Sequence, residues 1–586
     1  MIKLLKKFTK KDLFLILFCV ALVVFQVWLD LRLPEYMSQI TKLIQTEDSL
    51  MKDILISGGH MVLCAFGSLA SAVCVGYLSS LLSANFSKNI RRSIFEKVES
   101  FGIAEIKQFS TSSLITRTTN DVTQVEMFIS IGLQLLIKAP IMAVWAVLKI
   151  IGKSTEWSLL TGAGVVILLI TIILIMIVVV PRFAIVQKLT DQVNGVTREN
   201  LTGIRVIRAF NADEFQQNRF NNVNNKLTKT QLFNQRVFAI MQPIMNFVMH
   251  FLTLGIYFIG AILIDKAGMV DKVNLFSNMV VFTSYGMQVI MSFLMLAMTF
   301  MMWPRAKVSA NRITEVLDSD ISIKDGTFDG NTSLKGTVEF KNVSFKYPDA
   351  DEYLLKDISF KVNKGETIAF IGSTGSGKST LINLVPRLYD ATDGEVLVDG
   401  VNVKEYELSK LNNKIGYIPQ KAVMFTGSVN DNVAYGQRGR EKPSQKEIEE
   451  AIRVAQAEDF VTKMDKKYES HIARGGTNVS GGQKQRLAIA RAIARDPEIY
   501  IFDDSFSALD YQTDATLRKE LKKHTKNATC MIVAQRIGTI INADKIMVLD
   551  NGKCVGIGTH KELLKNCDIY KEIALSQLSE EELLNA

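Results

Sequence analysis

Gly372-Ser373-Thr374-Gly375-Ser376-Gly377-Lys378-Ser379 decides how the second half of this chain is built. It has the spacing G-x-x-x-x-G-K-[ST], with a β-like run (Thr367–Ile371) before it and an apolar helix start (Thr380–Val385) after it. Gly372, Gly375 and Gly377 let the backbone N–H groups of Ser373, Thr374 and Ser376 face a polyphosphate. Lys378 reaches the outer phosphates, and the hydroxyl of Ser379 suits a magnesium ion. Further on, the apolar strand Ile499–Phe502 closes on Asp503, a carboxylate placed to hold the water shell of that metal. A strand, a phosphate loop, a helix and a second strand ending in Asp predict a soluble α/β domain that takes ATP with Mg²⁺.

The preceding half differs in kind. Nearly charge-free runs occupy Leu13–Leu29, Ile54–Ser87, Met127–Leu148, Trp157–Pro181, Val237–Ile264 and Val273–Pro304. Five of them clear the roughly 20 residues needed to cross hydrocarbon, and the first can extend slightly. The fold class expected is therefore a six-helix, all-α membrane domain (residues 1–317), a linker (318–336) and an α/β P-loop domain (337–586). The N-terminal residues and the two long connections, Lys88–Glu126 and Arg182–Arg236, hold 20 Lys and Arg. The three short connections, Asp30–Asp53, Lys149–Glu156 and Asp265–Lys272, hold 7. The positive-inside bias puts the long connections and the N-terminus in the cytoplasm, and six spans return the chain there, where it meets ATP.

The net charge of +9 lies largely beside the spans, so the expected partner is the bilayer and no nucleic acid. The six cysteines show no metal or disulfide spacing, which suits a reducing cytosol. The long connections have helical composition, and Leu114–Asp121 and Glu199–Phe210 read as amphipathic helix. Met287, Met291, Met295, Met298 and Met302 recur on one face of the sixth run, and Met241, Met245 and Met249 on one face of the fifth. Such methionines suit either helix packing or an adaptable apolar binding wall. Lys138 and His250 are ionisable groups inside spans. Lys138 is expected to snorkel toward the cytoplasmic interface, and His250 to bond a neighbouring helix.

Three more stretches complete the pattern. Tyr347 offers an aromatic face to adenine 25 residues before Gly372. Gln420 ends the strand-like run from Ile415, within reach of Mg²⁺ or an attacking water. Ser480, Gly481, Gly482 and Gln483 open the helix that runs to Arg495, which makes a second phosphate-facing terminus. One ATP does not need two cradles, so the second is expected to close on a nucleotide held by another domain.

Across essentially its whole length the chain resembles a half-transporter of the ATP-binding cassette exporter family. The co-linear matches are Tyr347, the Walker A loop Gly372–Ser379, the Q-loop Gln420, the signature Val479–Gln483, the Walker B Asp503, and a D-loop from Ser507 to Asp510. The resemblance implies nucleotide contacts from Gly372 through Thr380, from Ser480 through Gln483, and from Asp510. It implies metal contacts from Ser379, Gln420 and Asp503, and bacterial cytoplasmic membrane as the location. It also exposes three departures: Asp504 stands where the family carries a catalytic Glu, Gln535 where it carries the switch His, and Arg474 where it usually carries Glu. Asp504, Gln535 and Gln420 are thus the catalytic positions, with the first two weakened. A poor Walker B beside a nearly intact signature fits a heterodimer with a second, different half-transporter. The implied cargo is amphipathic small molecules. Lipid or peptide export, and a nucleotide-gated channel or regulatory subunit, stand as alternatives.

Overall fold

A computed structural model describes residues 2–46, 50–151, 155–436, 438–579 and 583. It divides into two compact units: residues 1–99 with 111–319, and residues 100–110 with 320–586.

Among the described residues the first unit has six helices long and apolar enough to span a membrane: Lys10–Gln45, Met51–Glu99, Thr111–Ile150, Thr155–Ala209, Asp213–Lys266 and Asp271–Asp318. The fourth has 55 residues, about 80 Å at 1.5 Å per residue, against a hydrocarbon core of about 30 Å. Most of the long connections therefore continue the spans, as their composition predicts, except that Ile103–Phe109 is a separate short helix between the second and third. Thr9 starts the first helix with a capping box. Its backbone N–H donates to Asp12 Oδ2 at 2.9 Å, and its hydroxyl accepts the Asp12 N–H. Leu114–Asp121 departs from plain α-helix, because Arg117–Asp121 forms a π-helical turn. Arg117 there donates to Glu315 at 2.7 Å, and Asp121 accepts from Ser309 at 2.8 Å.

The core of this unit forms around Trp157, Phe282, Tyr285 and Val289, all fully buried. The Trp157 indole N–H donates to Ile256 O and the Tyr285 hydroxyl to Leu31 O, so neither polar tip is left unpaired. Helices approach closely at glycines: a Cβ on Gly255 would lie 2.6 Å from Leu160, and one on Gly286 the same distance from Leu252.

Three expectations are corrected here. The first span does not end at Leu29 but runs through Pro34 to Gln45, so most of the expected Asp30–Asp53 connection is helix. Residues 47–49 of that connection, and 152–154 of the Lys149–Glu156 one, lie outside the described residues. The helix carries its charges because they are paired: Asp30 with Lys138 at 3.1 Å, and Glu35 with both Arg32 and Lys149. Lys138 accordingly points to a carboxylate rather than snorkelling. His250 lies on an exposed side of its helix, and its imidazole makes no hydrogen bond among the described residues. The two methionine stripes also separate. Met241 and Met245 are core residues, whereas Met287, Met291 and Met298 are 39%, 50% and 48% exposed, turned away from this unit's own core.

The second unit holds a six-stranded sheet in the order Lys553–Gly558, Lys545–Asp550, Thr367–Gly372, Thr529–Val533, Ile499–Asp503, Ile415–Ile418. All neighbours are parallel except the terminal hairpin 545–558. Every residue of Ile499–Asp503 is buried, as expected for a parallel strand covered on both faces. A four-stranded antiparallel sheet around Val338–Phe345 packs its apolar face onto the same core. Helices Gln445–Val454 and Gly481–Arg495 share a second cluster with Ile418, Tyr500 and Phe502.

The register positions the chemistry. Val533 is level with Phe370 on one side and Asp503 on the other, and Ile418 is level with Phe502. The residues at or just past the carboxyl ends of four adjacent strands thus include Gly372, Gln535, Asp504 and Gln420. Ligands of open α/β sheets bind at this edge.

Candidate active site

The loop 372–379 is shaped by its glycines. Gly372 has φ +152°, and a Cβ there would sit 1.9 Å from Leu549 O. Gly377, at φ +95°, precedes the Lys378–Asn383 helix, where a Cβ would meet Leu355 at 2.6 Å. No side chain fits at either place. Lys378 Nζ donates to Gly372 O at 2.9 Å and Ser373 O at 2.8 Å, and burial pulls its pKa down. Ser373, Thr374 and Gly375 form the outer rim of the loop, and a Cβ on Gly375 would have open space around it.

Ser379 Oγ donates to Asp503 Oδ1 at 2.6 Å. A hydroxyl and a carboxylate this close are the hard oxygen donors that Mg²⁺ takes, so these residues fit the ion the motif implies. The other Asp503 oxygen faces the Tyr417 hydroxyl at 3.4 Å, which also donates to Asn383 Oδ1 at 3.0 Å. Burial pushes the Asp503 carboxyl above the usual carboxylate range, and the Ser379 and Tyr417 hydroxyls pull it part of the way back. Tyr417 is absent from the motif reading. Its position three residues before Gln420, on the strand Ile415–Ile418 that leads to it, is the signal that was there to use.

Asp504 is next along the chain and faces different neighbours. Its backbone is left-handed, at φ +46°, and its N–H donates to Val533 O. Its Oδ2 accepts from Gln535 Nε2 at 2.8 Å and from Gln420 Nε2 at 3.2 Å. Burial raises this carboxyl too, against the pull of the Gln420 amide. The structure therefore brings together all three expected catalytic positions, and it does so by closing them on one another. Gln420 spends its amide N–H on Asp504. Gln577, another residue the motifs do not announce, clamps the strand end carrying Gln535: its Nε2 donates to Gln535 O and its Oε1 accepts the Ile537 N–H, both at 2.8 Å.

Tyr347 joins the loop at its far end through a hydrogen bond of 2.9 Å between its hydroxyl and Thr380 Oγ1. Ser480 caps the Gly481–Arg495 helix, and Gln483 returns the bond: the Ser480 hydroxyl accepts the Gln483 N–H, and Gln483 Oε1 accepts the Ser480 N–H. Gly481 is exposed, and a Cβ on Gly482 would come within 3.3 Å of Ala508 O. Asp510 caps the following helix by accepting the Thr513 N–H, and that bond lowers its carboxyl. Among the described residues no hydrogen bond joins Ser480–Gln483 or Asp510 to the loop 372–379. The loop 372–379 and the helix start at Ser480–Gln483 thus have separate hydrogen-bond networks among the described residues. Arg474 lies exposed in a short 3₁₀ turn.

Comparison with known proteins gives the same division. Residues 355–507 match the ABC transporter domain, and residues 15–293 the ABC transporter transmembrane region. An uncharacterized ABC transporter ATP-binding protein of Mycobacterium tuberculosis is 39% identical over 89% of this chain and 87% of its own length. The uncharacterized ABC transporter ATP-binding protein YfiB of Bacillus subtilis is 34% identical over 91% of each. A bacterial Atm1-family ABC exporter, solved with ATP bound, shares the fold at a TM-score of 0.82, covering 97% of this chain and 98% of its own at 21% identity.

Proposed function

Because the chain belongs to the ABC transporter family, a family of ATPase-coupled translocases, we propose that it is one half of a heterodimeric exporter of amphipathic small molecules. It is a multi-pass membrane protein with its nucleotide-binding domain in the cytoplasm. In this reading the loop Gly372–Ser379 and Tyr347 hold ATP at a site that turns over poorly. Ser480–Gln483 then complete a competent site on a different partner.

The observation that carries this reading is the Asp504 carboxylate, bonded to two neutral amides at 2.8 and 3.2 Å. A general base must lie within hydrogen-bond reach of the proton it takes. Asp504 is one methylene shorter than Glu, and its Oδ2 is already engaged. Gln535 presents an amide that cannot carry a proton's charge as an imidazole can. Asp503 and Ser379 would hold Mg²⁺. When bound, the ion neutralises charge on the outer phosphates. Lys378 would exchange its loop carbonyls for phosphate oxygens. The exposed Met287, Met291 and Met298 support an adaptable apolar surface for cargo or for the partner.

The test is the intact mass of the complex taken gently from its native membrane, with its subunits identified. The expected result is this 65.5 kDa chain with one different half-transporter, carrying Glu and His at the positions of Asp504 and Gln535. A complex of two copies of this chain would sink the heterodimer.

A further inference from the structure

The helix Ile103–Phe109 lies in sequence between the second and third membrane helices, yet residues 100–110 group with the nucleotide-binding unit. Three contacts hold it there. Ile103 and Ala104 pack against the core of that unit. Glu105 Oε1 accepts the backbone N–H of Ser322 at 3.0 Å. Lys107 places Nζ 4.9 Å from the ring centroid of Tyr347 and 5.9 Å from that of Tyr389. The two rings meet at 85° with centroids 5.4 Å apart, and a cavity of about 260 Å³ opens beside them, lined by Ala104, Ile323, Phe345 and Asp390 as well. Tyr347 is in turn bonded to Thr380, one residue past the loop's Ser379.

We propose that Lys107 is an occupancy sensor for the nucleotide base: its ammonium holds a π face of Tyr347 that a stacked adenine takes. The inference rests on the reading of Tyr347 as the base platform. A cation on an aromatic face and a base on the same face exclude each other. The base gains more from stacking than the exposed ammonium does, so the base displaces Lys107. By linkage, whatever binding the base does to the seating of 103–109, the seating does equally to base affinity. Three residues of chain separate this helix from the membrane helix before it, and one residue separates it from the helix after it.

The experiment measures equilibrium binding of ATP and of inorganic triphosphate, which lacks a base, to the purified full-length complex. Lys107→Met is expected to bind ATP about two- to fivefold tighter and triphosphate unchanged, since the lost competitor acted only on the base. Lys107→Arg keeps a cation there and should bind ATP like the wild type. Amide exchange across 103–109 should speed up on adding ATP but not triphosphate. Unchanged or weaker ATP binding by Lys107→Met, or an equal shift for both ligands, overturns the sensor. Tyr347→Ala separates the two ideas. ATP affinity should fall about 5- to 100-fold. No loss would overturn the platform and the sensor with it, whereas a loss there with no effect at Lys107 overturns the sensor alone.

Discussion

The region around Asp504 and the region around Ser480 belong to the same nucleotide-binding domain and are built oppositely. At Asp504 the polar groups answer each other, with Gln535 and Gln420 both donating to one carboxylate and Gln577 clamping the Gln535 strand end. At Ser480 the polar groups only start a helix. The cap is satisfied internally, and Gly481 presents bare backbone to the outside. A self-satisfied network is stable and gives no group freely to a substrate. An exposed helix start with glycines is incomplete by itself and gains from a phosphate placed on it. In the heterodimer proposed above, one chain would combine a retentive nucleotide site with a half-site for its partner's nucleotide.

The comparison can be broken most directly by making the two regions alike. Asp504→Glu with Gln535→His should raise turnover at this chain's own site by about 10²–10⁴. This is read as phosphate release in a complex whose partner has lost its own phosphate-loop lysine. A rate that stays flat would place the defect elsewhere than in the base and the switch position. The converse change spoils the open region. Gly482→Val, forced against Ala508 O, should lower turnover of the whole complex on the order of 10²-fold, the scale of losing a backbone donor at a transition state. ATP affinity at this chain's own loop should stay as it was, and a parallel loss of that affinity would show that the two regions are not separate.

The smallest effect sharpens the contrast between the neighbouring carboxylates and ordinary ones. Burial raises Asp503, so the folded chain keeps a proton at pH values where the unfolded chain has released it. The folded state therefore gains stability as pH falls through the window between the ordinary carboxylate value and the raised one, and loses it as pH rises. Asp503→Asn removes this effect. The variant should melt higher than the wild type at pH 7.5, with the margin narrowing toward pH 5, in thermal unfolding without nucleotide. A margin that widens on acidification would mean that the Ser379 and Tyr417 bonds outweigh burial.

Local sequence carried the strand–loop–helix at 367–383, the buried strand ending at Asp503 and the capped helix from Ser480. In each, the residues that signal the element are adjacent, and their period or cap chemistry suffices. It misjudged the first span because a hydropathy run stops at Asp30 whatever Asp30 is paired with. Lys138 is 108 positions away, and only packing brings it within 3.1 Å. The methionine stripes show the same limit: period placed both on helix faces, but not which face meets the core. Tyr417 and Gln577 lay within view and had no motif to mark them.

By itself, the sequence determined that six apolar helices precede a phosphate-loop domain, that a carboxylate follows the Walker B Asp one methylene short, and that a second glycine-fronted helix start exists. These are properties of composition, spacing and side-chain length. Only the tertiary structure decided that Asp504 is bonded by Gln535 and Gln420, that the helix 103–109 belongs with the nucleotide-binding unit, and that Lys107 rests on Tyr347. Those are distances between residues far apart in the chain, set by sheet register and core packing, and no local pattern encodes them.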